Sequence, residues 1–107
     1  MLLHLPIVVM TALHPVPVAD TTPNFDIARE CQSEGGTQDM LKRCTDDETQ
    51  AREQLRKEWA QFAPTNKTQC NEETNVDGSA SYVEMLTCLE MEKEVRSEQQ
   101  ATTKAPE

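Results

Sequence analysis

Four cysteines are the residues of this chain whose type and spacing say most about its chemistry. Cys31, Cys44, Cys70 and Cys88 are separated by twelve, twenty-five and seventeen residues. Zinc sites built from cysteines normally use close C-x-x-C pairs, and the chain contains none. An even number of cysteines in a small exported chain is typical of structural disulfides. We therefore predict two disulfides, no metal site and no cofactor.

Acid–base and nucleophilic catalysis have few residues to work with. Both histidines, His4 and His14, lie in the apolar stretch at the N-terminus. A chain cleaved after that stretch has no Ser-His or Cys-His nucleophilic pair and lacks the commonest general base. Carboxylates are numerous, but a glycosidase-like pair needs a cleft that a two-helix hairpin does not offer. The chain is predicted not to be an enzyme.

The charge of the chain restricts its partners. Nineteen acidic and ten basic residues give a net charge of −9. No basic stripe and few aromatic residues are available, so we predict no nucleic-acid binding. Anionic membrane surfaces are disfavoured for the same reason. A basic protein remains an electrostatically suitable partner, although the charge is also explained by solubility alone.

The N-terminus has the pattern of a secretory signal peptide. Residues 1–19 contain no Asp, Glu, Lys or Arg, and the apolar run at residues 2–13 is too short to span a bilayer. Cleavage is predicted after Ala19. No second apolar run follows, so we predict an exported protein, periplasmic or secreted, with no membrane span in the mature chain. The predicted parts are signal peptide 1–19, a cysteine-bridged helical domain 20–99, and a disordered tail 100–107.

Helices must position the cysteines, and the first is predicted to be short. Thr22 is a suitable N-cap, and Pro23 suits the first helical position. Cys31 lies on this helix, which Gly35 and Gly36 end.

The main helix is predicted from about Gln38 to Phe62, with Thr37 as its N-cap and Pro64 after its end. Its stripe recurs every three or four residues and comprises Leu41, Cys44, Glu48, Ala51, Leu55, Trp59 and Phe62. Glu48 is the polar exception. We interpret it as lying at the edge of the stripe with its carboxylate in solvent. The alternative is a buried functional carboxylate.

Residues 65–78 are polar and are predicted to form a loop. A second helix follows, because Ser81 and Glu84 have the spacing of a capping box. Its predicted apolar face comprises Tyr82, Val83, Leu86 and Leu89. Beyond Glu90 the sequence is mostly charged, so we expect the helix to fray near Gln99.

The predicted fold is all-α: a disulfide-stabilised antiparallel helical hairpin with a short N-terminal helix. In such a hairpin Cys44 and Cys88 lie at different heights, because each helical residue rises about 1.5 Å. Bridged cysteines need Cα atoms within about 7 Å. The pairs Cys31–Cys44 and Cys70–Cys88 are therefore favoured, while the other two connectivities stay open. Large apolar residues are sparse, so the disulfides are expected to be needed for stability.

Parts of the chain resemble a known family. The stretch TQDMLKRC at residues 37–44 and its continuation through Trp59 resemble the first helix of the lysozyme-inhibitor LprI-like family of small exported bacterial proteins. The resemblance continues to Arg96 through Cys70, Gly78-Ser79 and Cys88-Leu89. It implies that the chain binds a lysozyme and blocks its action on the cell wall.

Basic lysozymes would be attracted to an acidic inhibitor. The residues predicted to meet the partner are Glu72, Glu73 and Asp77, with Tyr82 as the anchor. Two alternatives remain: an envelope protein with a structural or stress role, and a secreted cysteine-rich effector. The sequence does not define the oligomeric state.

Overall fold

The protein is all-α over the residues that the computed structural model describes, 21–104, with side chains described to Thr102. The helices are α1 (Ile27–Glu34), α2 (Gln38–Glu58), α3 (Pro64–Thr74) and α4 (Tyr82–Lys104), with a 3₁₀ turn (Trp59–Gln61) after α2. The predicted signal peptide and the last three residues of the predicted tail lie outside the described part. The all-α prediction is confirmed.

Helix α2 begins and ends close to the predicted residues. The Thr37 side chain accepts the backbone N–H of Met40 at 3.2 Å, which caps the helix as expected. Arg56 and Lys57 lie in the last turn, where cations interact favourably with the helix dipole. The connection from α1 is tight, because Gly36 has a φ of 108° and a Cβ there would lie 3.0 Å from the sulfur of Met40.

Helix α1 begins later than predicted. Asp26 is its N-cap, and its Oδ1 accepts the backbone N–H of Arg29 at 3.0 Å. The segment before it bonds to the hydroxyl of Tyr82, which accepts the N–H of Phe25 at 2.8 Å and donates to the carbonyl of Pro23 at 3.1 Å. These long-range bonds use backbone groups in an extended segment, so Thr22 does not start a helix.

Helix α3 replaces most of the predicted loop at residues 65–78. Pro64 occupies its first turn, where a missing N–H is tolerated. Cys70 is fully buried and Thr74 is 3 % exposed, so one side of this polar helix packs inside the protein. The stretch lacks an apolar stripe, and the helix is therefore stabilised by its packing and its disulfide.

Helices α2 and α4 run parallel, which corrects the antiparallel pairing that the sequence predicted. Glu48 of α2 contacts Tyr82 at the start of α4, whereas Glu58 contacts Lys93 about three turns later. Helix α3 is antiparallel to α4, because Thr74 bonds to Glu84 while Asn66, near its beginning, bonds to Glu92. Helix α3 thus carries the chain back before α4 begins, and α4 packs against both α2 and α3.

The disulfides are the two favoured pairs. Cys31–Cys44 joins α1 to α2 with the Cα atoms 5.6 Å apart, and Cys70–Cys88 joins α3 to α4 with the Cα atoms 5.8 Å apart. The main hydrophobic core comprises Ala51, Leu55, Trp59, Phe62, Cys70, Tyr82, Met85 and Leu89. Met85 takes the core position that the sequence assigned to Val83, which is exposed.

Helix α4 continues beyond the predicted fraying point. It remains helical past Gln99 to Lys104, through the first part of the segment predicted to be a disordered tail. Within residues 21–104, no helix is long and apolar enough to cross a membrane.

Candidate partner-binding site

The connection between α3 and α4, residues 75–81, is the candidate site, and we call it the corner. Its turn is closed by a hydrogen bond from the N–H of Gly78 to the carbonyl of Asn75 at 3.0 Å. Gly78 has a φ of 82°, a conformation that favours glycine. Asp77 Oδ1 accepts the N–H of Ser79 at 3.2 Å. These local bonds give the corner a defined shape.

Glu48 fixes the end of the corner to α2. Its carboxylate accepts the hydroxyl of Ser81 at 2.5 Å and the backbone N–H groups of Tyr82 at 2.6 Å and Val83 at 3.5 Å. The first N–H groups of a helix have no partner within it, and a negative charge there is favourable. Glu48 is 3 % exposed, so the interpretation that it lies in solvent at the edge of the stripe is wrong.

The predicted capping box forms only in part. Ser81 Oγ accepts the N–H of Glu84 at 3.1 Å, as the motif requires. The Glu84 carboxylate instead accepts the hydroxyl of Thr74 at 3.0 Å, and the N–H of Ser81 donates to Thr74 Oγ1 at 2.9 Å. The last residue of α3 therefore completes the cap of α4, which holds the two ends of the corner together.

Three of the four residues predicted to meet a partner are exposed on or beside the corner. Glu72 and Glu73 lie in the last turn of α3, and Asp77 lies in the turn itself. Tyr82 is different, because only 1 % of it is exposed and its ring packs 4.8 Å from that of Phe25. Tyr82 is a core residue, and its prediction as an anchor for a partner is wrong.

Val76 is the residue of the corner that the sequence analysis missed. It is 83 % exposed, the highest value among the exposed large apolar residues of residues 21–102. An exposed valine alone is ordinary on a protein surface. Its position at a turn between Asn75 and Asp77, in an otherwise polar stretch, is the signal that was available in the sequence.

The acidic residues of α3 do not serve its stability. The carbonyl end of a helix favours cations, and acidic residues there are unfavourable. Glu72 and Glu73 occupy that end, and no basic residue lies in the last turn of the helix. Neither of them forms an ion pair with a Lys or Arg of residues 21–102. Their position therefore contributes negative charge to the surface at a small cost in stability.

Helix α1 adds further carboxylates behind the corner. Glu30 is 6 % exposed and accepts the hydroxyl of Ser79 at 2.7 Å. A hydrogen bond with Glu30 raises the pKa of Glu34, and burial and the charges of Glu30, Glu48 and Glu84 raise it further. This neighbourhood is therefore strongly negative. It favours a cationic surface opposite the corner.

Metal-ligand clusters, free thiols and histidines are not found among the described residues. No group of three or more His, Cys, Asp or Glu among the described residues has an arrangement that could hold a metal ion. Both pairs of cysteines are oxidised, and the described residues include no histidine. The arrangement can bind, through one exposed apolar side chain and several carboxylates.

Comparisons with protein-family models, curated proteins and solved structures find no match to this chain. The geometry of the corner and the charge of the chain are therefore the features that bear on its function.

Proposed function

We propose that the chain is a small exported helical protein that binds a basic protein through the corner, and that it acts as an inhibitor of lysozyme. The observation that carries this proposal is the exposure of Val76 among the carboxylates of Glu72, Glu73 and Asp77. An apolar side chain on a rigid turn can enter a cleft in a partner, where its burial contributes binding energy.

The surrounding carboxylates supply the long-range part of the interaction. A net charge of −9 attracts a cationic protein and speeds their encounter. The resemblance to the lysozyme-inhibitor LprI-like family suggests which basic protein this is. Two disulfides support a location outside the cytosol, because such bonds persist in oxidising compartments. The corner needs no loop rearrangement, since its backbone and side-chain hydrogen bonds are already formed.

The experiment measures the lysis of bacterial cell walls by a basic lysozyme in the presence of excess oxidised protein. We expect inhibition at low salt that weakens as salt is added, because the charges become screened. Val76→Asp should weaken inhibition by about tenfold, since it places a carboxylate where an apolar contact forms. The matched control is Val95→Asp, which makes the same change at an exposed position of α4.

A second pair of variants tests the charges. Glu72→Gln/Glu73→Gln should slow association and reduce the dependence on salt, because two carboxylates of the corner lose their charge. Glu94→Gln/Glu98→Gln removes the same charge from exposed positions on α4 and should change inhibition less. An absence of inhibition by the unmodified protein at low salt contradicts the lysozyme proposal. Equal losses of inhibition in the two double variants contradict the role of the corner.

A further inference from the structure

A second feature lies apart from the apex of the corner: a cleft of about 300 Å³ between the N-terminal segment, the end of α2 and α3. Its apolar lining comes from Pro23, Trp59 and Met85. Clefts of this volume lie at the lower end of the range that small-molecule sites occupy. The apolar lining suits a flat or aliphatic body, and the polar residues beside it determine which ligand fits.

Lys67 is the notable residue of this lining. It is only 9 % exposed, and its Nζ lies 4.5 Å from the centre of the Trp59 ring. No carboxylate of residues 21–102 forms an ion pair with it, and it is the only buried residue among the Lys and Arg side chains of that range that lack one. The ring compensates part of the cost of removing an ammonium group from water. The group still lacks the anion that a nearly buried cation normally has.

Trp59 has an unpaired donor of its own. Its indole Nε1 is buried and has no hydrogen-bond acceptor. Buried donors in folded proteins almost always have an acceptor. That donor has almost no accessible surface, so a ligand in the cleft does not reach it, whereas the ammonium group of Lys67 is not closed off in this way. An anion that pairs with Lys67 is the chemical group that this end of the cleft lacks.

The other polar residues of the lining indicate which anion fits. Thr68 and Asn71 offer a hydroxyl and an amide. Glu72 also lines the cleft and is exposed, so it repels a ligand that carries a second negative charge. A monoanion with one carboxylate is therefore favoured over inorganic phosphate, whose average charge at neutral pH exceeds one negative charge.

We propose that this cleft binds a small organic monocarboxylate. The carboxylate pairs with the ammonium group of Lys67, and the flat or apolar body packs against Trp59 and Pro23. This site is separate from the proposed binding of a basic protein, and it is tested without lysozyme. The two proposals share one residue, Glu72, so the variants for the cleft leave that residue unchanged.

Benzoate is the probe, and the full oxidised chain is titrated with it. Trp59 is the one tryptophan of the chain, so its fluorescence reports occupancy directly. Isothermal calorimetry and the rise in unfolding temperature with ligand provide readouts that do not depend on fluorescence. Benzamide has the same shape without the charge, and inorganic phosphate has the charge without the ring. We expect each to bind at least about tenfold more weakly than benzoate.

Lys67→Met keeps most of the length of the side chain and removes its charge, so benzoate affinity should fall by about tenfold or more. Lys67→Arg retains the cation and should bind more tightly than Lys67→Met, which separates loss of charge from loss of folding. The matched control, Lys57→Met, removes an exposed lysine of α2 and should leave affinity unchanged. Circular dichroism establishes that each variant is helical.

Three results overturn the proposal. The first is that the unmodified protein binds no benzoate at concentrations up to about 10 mM. A dissociation constant above that value is too weak for a specific small-molecule site. The second is equal affinity for benzoate and benzamide, since the lysine would then contribute nothing. The third is an equal loss of affinity in Lys67→Met and Lys57→Met, which would indicate that only the overall charge matters.

Discussion

The carboxylate of Glu48, in the middle of α2, accepts the backbone N–H of Tyr82, the first residue of α4, at 2.6 Å. One helix therefore caps another that begins 34 residues later in the chain. The contact also explains how a carboxylate is accommodated at 3 % exposure, because its oxygens accept hydrogen bonds from both backbone and hydroxyl donors. It fixes the start of α4, and with it the end of the corner.

Replacing Glu48 should destabilise the protein. Glu48→Ala leaves the buried N–H of Tyr82 and the hydroxyl of Ser81 without their acceptor, so the free energy of unfolding should fall by about 2–3 kcal/mol. Urea denaturation followed by circular dichroism measures the change. The control is Asp47→Asn at the adjacent exposed position, which should stay within about 0.5 kcal/mol of the unmodified protein. An unchanged urea midpoint for Glu48→Ala would show that the cap is dispensable.

Removing the hydroxyl of Tyr82 should loosen the segment before α1. Tyr82→Phe keeps the ring in the core but deletes the bonds to Phe25 and Pro23, so we expect a loss of about 1 kcal/mol. Hydrogen exchange gives a local measurement, because the N–H of Phe25 should exchange faster. The N–H of Arg29, held by Asp26, serves as the internal control. Equal acceleration at both positions would indicate general destabilisation in place of the local effect.

The two disulfides should differ in their effect on partner binding. Each double replacement of a cysteine pair by serine should lower stability by about 2–4 kcal/mol, because each bond restricts the unfolded chain. Cys70–Cys88 encloses the corner, so its removal should also weaken the proposed inhibition of lysozyme. Cys31–Cys44 joins α1 to α2 and does not enclose the corner, so its removal should weaken inhibition less.

Cell-wall lysis assays on both double variants make this comparison. They are run at a temperature where circular dichroism shows that each variant is folded. If the variant without Cys70–Cys88 inhibits as well as the unmodified protein, the defined shape of the corner is not required for binding.

Stability should depend on pH through Glu34. Its pKa is raised by the hydrogen bond with Glu30 and by burial and neighbouring carboxylates, so the folded state favours the protonated form. The stabilisation from this group is complete below the ordinary glutamate pKa and is lost as the pH rises through the raised value. Glu34→Gln imitates the protonated form, and it should therefore raise the unfolding temperature at pH 7.

The same substitution should have little effect at about pH 3.5, where a glutamate is largely protonated in both the folded and unfolded states. Thermal unfolding at the two pH values measures the difference. Glu98→Gln, at an exposed position near the end of α4, is the control and should show no comparable gain. An equal gain from Glu34→Gln at both pH values would contradict the electrostatic explanation.

Local sequence signals predicted the parts of the fold that depend on neighbouring residues. Thr37 caps α2, and Ser81 begins the cap of α4. The favoured disulfides also form, although the argument for them used an antiparallel hairpin that the structure does not have. For the candidate site, the exposed acids Glu72, Glu73 and Asp77 were also predicted from their polar surroundings. Caps and apolar stripes are local patterns, since they act over three or four residues of one helix.

The tertiary structure decided the rest. Helix α3 has no apolar stripe, so its sequence resembles a loop until α4 packs against it through Cys70 and Thr74. That unforeseen helix carries the chain back along α2, so α4 begins beside the middle of α2 and runs parallel to it. Glu48 therefore lies at the start of α4. The inward position of Tyr82 and the exposure of Val76 follow from the same packing. A sequence pattern specifies which face of a helix is apolar, but the partner of that face depends on contacts between distant residues, which no local pattern encodes.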